Sequence, residues 1–201
     1  MENERTMNKS IGIFSEKVDL IQAILLGLIA FLVPTFLAGA IKEIFGAQSI
    51  VTTNSQLIVG SIVNTALIVA AINVKGWKKI VGIVTMPSIS TILSGYVFKS
   101  ASPFMAYMIP AIWVGNFALI YAYKLIMLAK GKNYFLAGII GVIAKVLIIF
   151  GIFNLLKVLG VFPDKIATVL SVAMGKTQAI TATIGVLISF VIYGIEKRKV
   201  K

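Results

Sequence analysis

The chain has no cysteine and no histidine, and only 7 of its 201 residues are Asp or Glu. The first absence removes disulfides and thiolate nucleophiles, and the second removes imidazole ligands and the side chain that titrates nearest neutral pH. The scarce acids are Glu2, Glu4, Glu16, Asp19, Glu43, Asp164 and Glu196, each in a tail, a connection or the end of an apolar run. No carboxylate pair is available for general acid–base work, so a membrane hydrolase is poorly served. Proton- and cation-coupled carriers ordinarily hold the coupling ion on an intramembrane acid or histidine, and this chain offers neither, although backbone carbonyls alone can bind sodium.

What is present is apolar. Hydrophobic residues make up 59% of the chain, charged residues 13%, and the mean hydropathy is +0.99. Soluble domains carry about 25% charged residues, whereas a bilayer-crossing helix needs about 20 apolar ones in succession. The pattern predicts one all-α integral membrane domain over residues 1–201. A polar tail over 1–19 precedes six transmembrane helices at about 20–41, 57–73, 80–98, 104–128, 134–160 and 166–194. The tail lacks the apolar run and cleavage site of a signal peptide. The second and third spans are short and rich in Ser, Thr, Asn, Gly and Pro. They read as helices facing protein, because polar groups there need partners.

The net charge of +12 is a matter of topology. No basic stripe interleaves with exposed aromatics, so no nucleic-acid partner is expected. With six spans, the termini and the second–third and fourth–fifth connections share one side. Thirteen Lys and Arg fall there: Arg5, Lys9, Lys17, Lys75, Lys78, Lys79, Lys124, Lys130, Lys132, Lys197, Arg198, Lys199 and Lys201. Four fall on the other side, Lys42, Lys99, Lys157 and Lys165. The bias predicts cytoplasmic N and C termini in the cell membrane. The longest outer connection, 42–56, reads as a plain loop or as a hydrogen-bonding lid.

MGKTQ, residues 174–178, contains the Gly-Lys-Thr of a phosphate-binding loop, but that loop needs a glycine where Leu170 stands. Any ATP-driven role therefore needs another subunit.

Polar residues of the outer half are the candidate ligand contacts. Trp113 and Asn116, three apart, share one helix face and form either a stacking and hydrogen-bonding wall or an ordinary bundle contact. Tyr107 and Tyr96 contribute to the site or anchor the interface. Gln56 borders the outer connection, Lys176 and Gln178 line the outer mouth, and Asn154 and Lys157 sit toward the outer end of the fifth span. Asn64 reads as an interhelical hydrogen bond.

Lys145 interrupts GVIAKVLIIFG, residues 141–151, with no charged residue within ten positions. A mid-span ammonium costs about 2.5–3.5 kcal/mol on insertion scales. It binds carbonyls or Asn and Ser side chains, stands uncharged, or meets an anionic ligand group. Its depth favours a structural or partner-facing role over ligand contact.

SQLIVGSIVNTALIVAAINVKGW, residues 55–77, resembles the second span of substrate-binding S components of energy-coupling factor (ECF) transporters. PAIWVGN, residues 110–116, and MGKTQAITATIG, residues 174–185, are also similar to patterns of that family. The resemblance implies a non-enzymatic subunit without cofactor that captures a vitamin-like organic micronutrient outside the cell. It would then deliver this substrate with a T component and two cytosolic ATPases, toppling in the bilayer to release it. It also implies docking on the T component through small residues of the first helix, here Ala23, Gly27 and Ala30; packing within the protein is the other use of such spacing. Metal-importing members rely on N-terminal histidines, so nickel and cobalt are not expected. A stand-alone carrier and a non-transporting accessory subunit are the other readings.

Overall fold

An apolar segment in lipid must satisfy its own backbone, and a helix does so within one stretch of chain. The computed structural model describes residues 2–10, 16–95 and 97–199, and no strand occurs among them. The α-helices are α1 Glu2–Met7, α2 Glu16–Leu32, α3 Ala38–Phe45, α4 Ile50–Thr53, α5 Ser55–Asn73, α6 Trp77–Ser94, α7 Met105–Ala122, α8 Tyr134–Val158, α9 Asp164–Met174 and α10 Lys176–Lys199. A π-helical segment, Val33–Leu37, joins α2 to α3, and a second, Tyr123–Ala129, extends α7.

Among the described residues, five stretches are long and apolar enough to cross a membrane: Lys17–Phe45, Ser55–Asn73, Ala101–Ala129, Tyr134–Val158 and Asp164–Lys197. The third expected span falls on α6, an 18-residue helix that is not among these five. Lys78 and Lys79 in its first turn, with Thr85, Ser88, Ser90, Thr91 and Ser94 beyond, keep its hydropathy below that of the other five. The last expected span is two helices, because the chain breaks at Gly175 between α9 and α10.

Six helices close a ring. α5 packs on α2 and α10, α2 on α6, α6 on α7, α7 on α8, and α8 on α10, while α5 also reaches α7 across the middle. Glycines set the closest seams. A Cβ on Gly185 of α10 would lie 2.6 Å from the Cβ of Asn64 on α5, and one on Gly115 of α7 would lie 2.6 Å from Ile149 on α8.

The polar residues of α6 have structural work at Pro34. Proline has no N–H and disturbs the helical ladder around it. Ser90 Oγ donates to the Phe31 carbonyl (2.5 Å) and meets Thr35 Oγ1 (2.6 Å), and Ser94 Oγ donates to the Pro34 carbonyl (3.3 Å).

The chain ends and two connections gather at one end of the ring. The Gly76 N–H donates to the Met7 carbonyl (3.2 Å), and Asn73 Nδ2 donates to both carboxylate oxygens of Glu196 (2.9 Å each). Asp19, 2% exposed, accepts from the Lys75 N–H and pairs with Lys79. Lys124 is fully buried and donates to the carbonyls of Lys9 (2.7 Å) and Val74 (2.5 Å). It is a clamp between the tail and the α5–α6 turn, whereas the charge count treats it as one more solvated cation.

The 42–56 connection is largely helical. Ser49 caps α4 by accepting from the Thr52 N–H (3.1 Å), and Thr52 Oγ1 donates to the Gly46 carbonyl (2.7 Å). Thr53 and Asn54 likewise donate to carbonyls of this same segment. Its hydroxyl and amide groups are thus largely spent on its own backbone.

Candidate functional site

The buried apolar residues form two clusters. One, around Leu67, Ile68, Ile80, Leu119 and Tyr123, joins α5, α6, α7 and the π segment after it. The other, around Met105, Met108, Ile149, Phe153, Phe162 and Leu170, joins α7, α8 and α9. Asn64, Asn116, Lys145 and Thr181 belong to neither and lie near the middles of α5, α7 and α8 and in the second turn of α10. They line a cavity of about 70 Å³ that every helix of the ring except α2 borders, with Pro34 of the adjoining π segment also in its wall.

A hydrogen-bonded chain crosses the wall. Lys145 Nζ, on a residue 2% exposed, donates to Asn64 Oδ1 at 2.5 Å. Asn64 Nδ2 donates to the Gly60 carbonyl (2.8 Å) and to Thr181 Oγ1 (3.2 Å), and Thr181 Oγ1 donates to the Thr177 carbonyl (2.9 Å). Asn64 thus makes the expected interhelical bonds, and it does so from the cavity wall. Each atom of the relay is satisfied except the ammonium, which has three N–H donors and one partner.

Two more polar atoms in the wall have none. Asn116 Oδ1 and Ser88 Oγ are buried without a hydrogen bond, on residues 2% and 5% exposed. Leaving such a group unpaired costs about 1–3 kcal/mol, so each is a hydrogen-bonding position open to a ligand or water. Among the described residues no Asp or Glu lines the cavity, and no cluster of metal-ligating side chains exists. The rest of the wall is apolar: Val59, Val63, Val97, Phe98, Met105 and Ile112.

Comparison of the chain with protein-family models, curated proteins and solved structures yields no match.

Of the expected ligand contacts, Asn116, Gln56 and Gln178 border the cavity. Trp113 does not share that wall. It packs beside Phe117 and Tyr121 against the first apolar cluster, with its Nε1 buried and unpartnered; Ile112, one turn before Asn116, takes the cavity position instead. Tyr107 is 57% exposed and meets the edge of Phe162. Asn154 donates to the Phe150 carbonyl one turn back (2.7 Å), outside the cavity, and Lys157 and Lys176 are exposed. Tyr96 lies outside the described residues.

The docking face also divides. Ala30 is fully buried and Ala23 is 7% exposed, so Ala30 packs inside the protein and is out of reach of a partner helix. Ala23 and Gly27 instead wall an apolar groove with Gly82, Ile83 and Met86 of α6.

Sequence reasoning left Lys145, Ser88 and Thr91 out of the ligand-binding set. Lys145 is not partner-facing; it points into the protein. The available signal for Ser88 was Pro87 beside it, since proline within a span marks backbone that needs polar company.

Proposed function

We propose that this chain is the substrate-binding membrane subunit of an importer of the ECF type, holding a small organic molecule in the mid-span cavity. The observation that carries the reading is the pair of buried, unpartnered polar atoms, Asn116 Oδ1 and Ser88 Oγ, in one cavity lined from five helices of the ring. Binding sites combine an apolar lining with a few placed polar groups, and in membrane transporters they lie near the bilayer midplane beside broken helices.

The importer type is supported by the sequence stretches 55–77, 110–116 and 174–185 and by two absences. The cavity has no acid to bind a coupling ion, and the chain has no nucleotide motif, which favours energy from partner ATPases over ion coupling. The gathering of both chain ends with the α5–α6 and α7–α8 connections at one end supports six passes, with α6 as the additional one. The basic bias assigns that end to the cytoplasm. The Ala23–Gly27 groove is the surface that suits a helix of the T component, because small residues let backbones approach.

The test is purification of the chain alone, followed by mass spectrometry of released small molecules and calorimetric titration without ATP. Tight ATP-independent binding by a chain that does not transport alone in liposomes supports the reading. Uptake by the lone chain points to a stand-alone carrier, and neither binding nor uptake points to an accessory subunit.

A further inference from the structure

We propose that the cavity selects a small organic monoanion, a carboxylate on an apolar body, and that Lys145 is its counter-charge. This rests on the reading of the cavity as a ligand site and adds the class of ligand.

Lys145 is the one basic side chain among the described residues that line the cavity, and no acid accompanies it. It is 2% exposed, and its recorded partner is the neutral Asn64 amide. A buried ammonium without a counter-charge keeps a large desolvation cost that one neutral acceptor does not offset. An anion in the adjoining space would supply the missing charge and use its remaining N–H donors.

Three further observations point to the same occupant. Ser88 Oγ is unpartnered in the same wall, and a hydroxyl donates to a carboxylate oxygen; Asn116 Oδ1, also unpartnered there, is an acceptor, and this amide meets a carboxylate through its N–H₂ end only when turned over. Thr177 and Gln178 place the first turn of the 24-residue α10 at the wall, where helix polarity favours negative charge. Asn64 is anchored by Gly60 and Thr181, so the ammonium is held by a fixed acceptor. One positive charge matches one negative charge, which favours a carboxylate over a phosphate dianion. Val59, Val63, Phe98 and Ile112 leave apolar surface for the rest of the molecule.

The test uses the full chain purified in detergent and acid–amide pairs of one shape: benzoate with benzamide, phenylacetate with phenylacetamide, 3-methylbutanoate with its amide. Phenyl phosphate is the dianion control. The expected result is that at least one acid binds at least tenfold more tightly than its amide and than phenyl phosphate. Lys145→Met should abolish that preference, and Ser88→Ala, which leaves every recorded hydrogen bond in place, should weaken the same acid several-fold. An amide that binds as tightly as its acid, or an acid preference that survives in a folded Lys145→Met protein, overturns the anion assignment while leaving a ligand site. If phenyl phosphate binds more tightly than every acid, the single-charge assignment fails. If no acid and no amide binds and none copurifies, the anion proposal and the binding-subunit reading fail together.

Discussion

The α5–α10 seam holds the Asn64 relay, and its tolerance can be tested with a single methyl group. A Cβ at Gly185 would lie 2.6 Å from Asn64 Cβ and 3.0 Å from both the Asn64 carbonyl carbon and the Thr65 nitrogen. None of these atoms moves by a rotamer change, so the two helices must separate. Overpacking of this kind costs about 1–3 kcal/mol. Alanine also carries an intrinsic gain over glycine in a helix of up to about 1 kcal/mol, which would blur a comparison with the unmodified protein. Gly82 on α6 supplies the control, because a Cβ there meets nothing within 4 Å. Gly82→Ala receives the propensity gain without the clash, so the difference between the two variants isolates the packing term. Gly185→Ala should therefore be about 1–3 kcal/mol less stable than Gly82→Ala. With no cysteine for a thiol-reactive dye, thermal unfolding is followed by Trp77 and Trp113 fluorescence in one detergent. If Gly185→Ala melts at or above the temperature of Gly82→Ala, the seam is looser than the structure describes. The cavity's hydrogen-bond relay then loses its rigid support.

Asn64→Leu should destabilise by roughly 1–3 kcal/mol, because it leaves the Lys145 ammonium buried without its acceptor. Adding Lys145→Met should recover part of that loss, and a strictly additive double mutant would deny the coupling. Asn116→Leu should weaken binding of the copurified ligand by about 1–3 kcal/mol, whereas Trp113→Ala, altered outside the cavity, should leave calorimetric affinity nearly unchanged; the reverse order would move the site to the other face of α7. Gly27→Leu should block uptake by the full transport complex while ligand binding by the isolated chain persists, since leucine fills the α2–α6 groove; unchanged uptake removes the docking assignment. A C-terminal tag should resist protease outside intact cells, and its cleavage there would invert the topology.

The helices were legible because uninterrupted apolar length is itself the bilayer's requirement. The boundaries failed where the backbone is interrupted. Pro34 was absorbed into the first span, but the structure carries that span on through a π segment to Phe45. Gly175 was read through, although it divides the last span and brings Thr177 and Gln178 to the cavity. For the site, spacing on one helix was a poor guide. Trp113 and Asn116 share a face on a helical wheel, but about 60° separates residues three apart, enough to put one in the apolar core and the other in the cavity wall. Lys145 was conspicuous from sequence, yet its partner lies 81 positions away. A pairing between helices leaves no local pattern in the chain. The same holds for Ser88, whose meaning depends on the absence of any partner among its neighbours.

The cavity's size and the condition of its walls are connected. About 70 Å³ is too small for an organic molecule of the usual ligand-site range, which begins near 300 Å³. Occupancy therefore requires the walls to part. Four of the contributing stretches are interrupted or carry a proline at or near the cavity: the π segment at Pro34, α6 at Pro87, α7 at Pro110, and the α9–α10 junction at Gly175. Prolines and π segments are where helices bend, because part of the backbone ladder is already missing or shifted there. Of the three helices that carry the relay, α5 and α8 run without such a break, and α10 begins at one. Bending at Pro34, Pro87 or Gly175 thus costs fewer backbone hydrogen bonds than bending α5 or α8, which hold Asn64 and Lys145. The charged group stays fixed on continuous helices, as a preorganised contact requires, and the interrupted helices supply the movement.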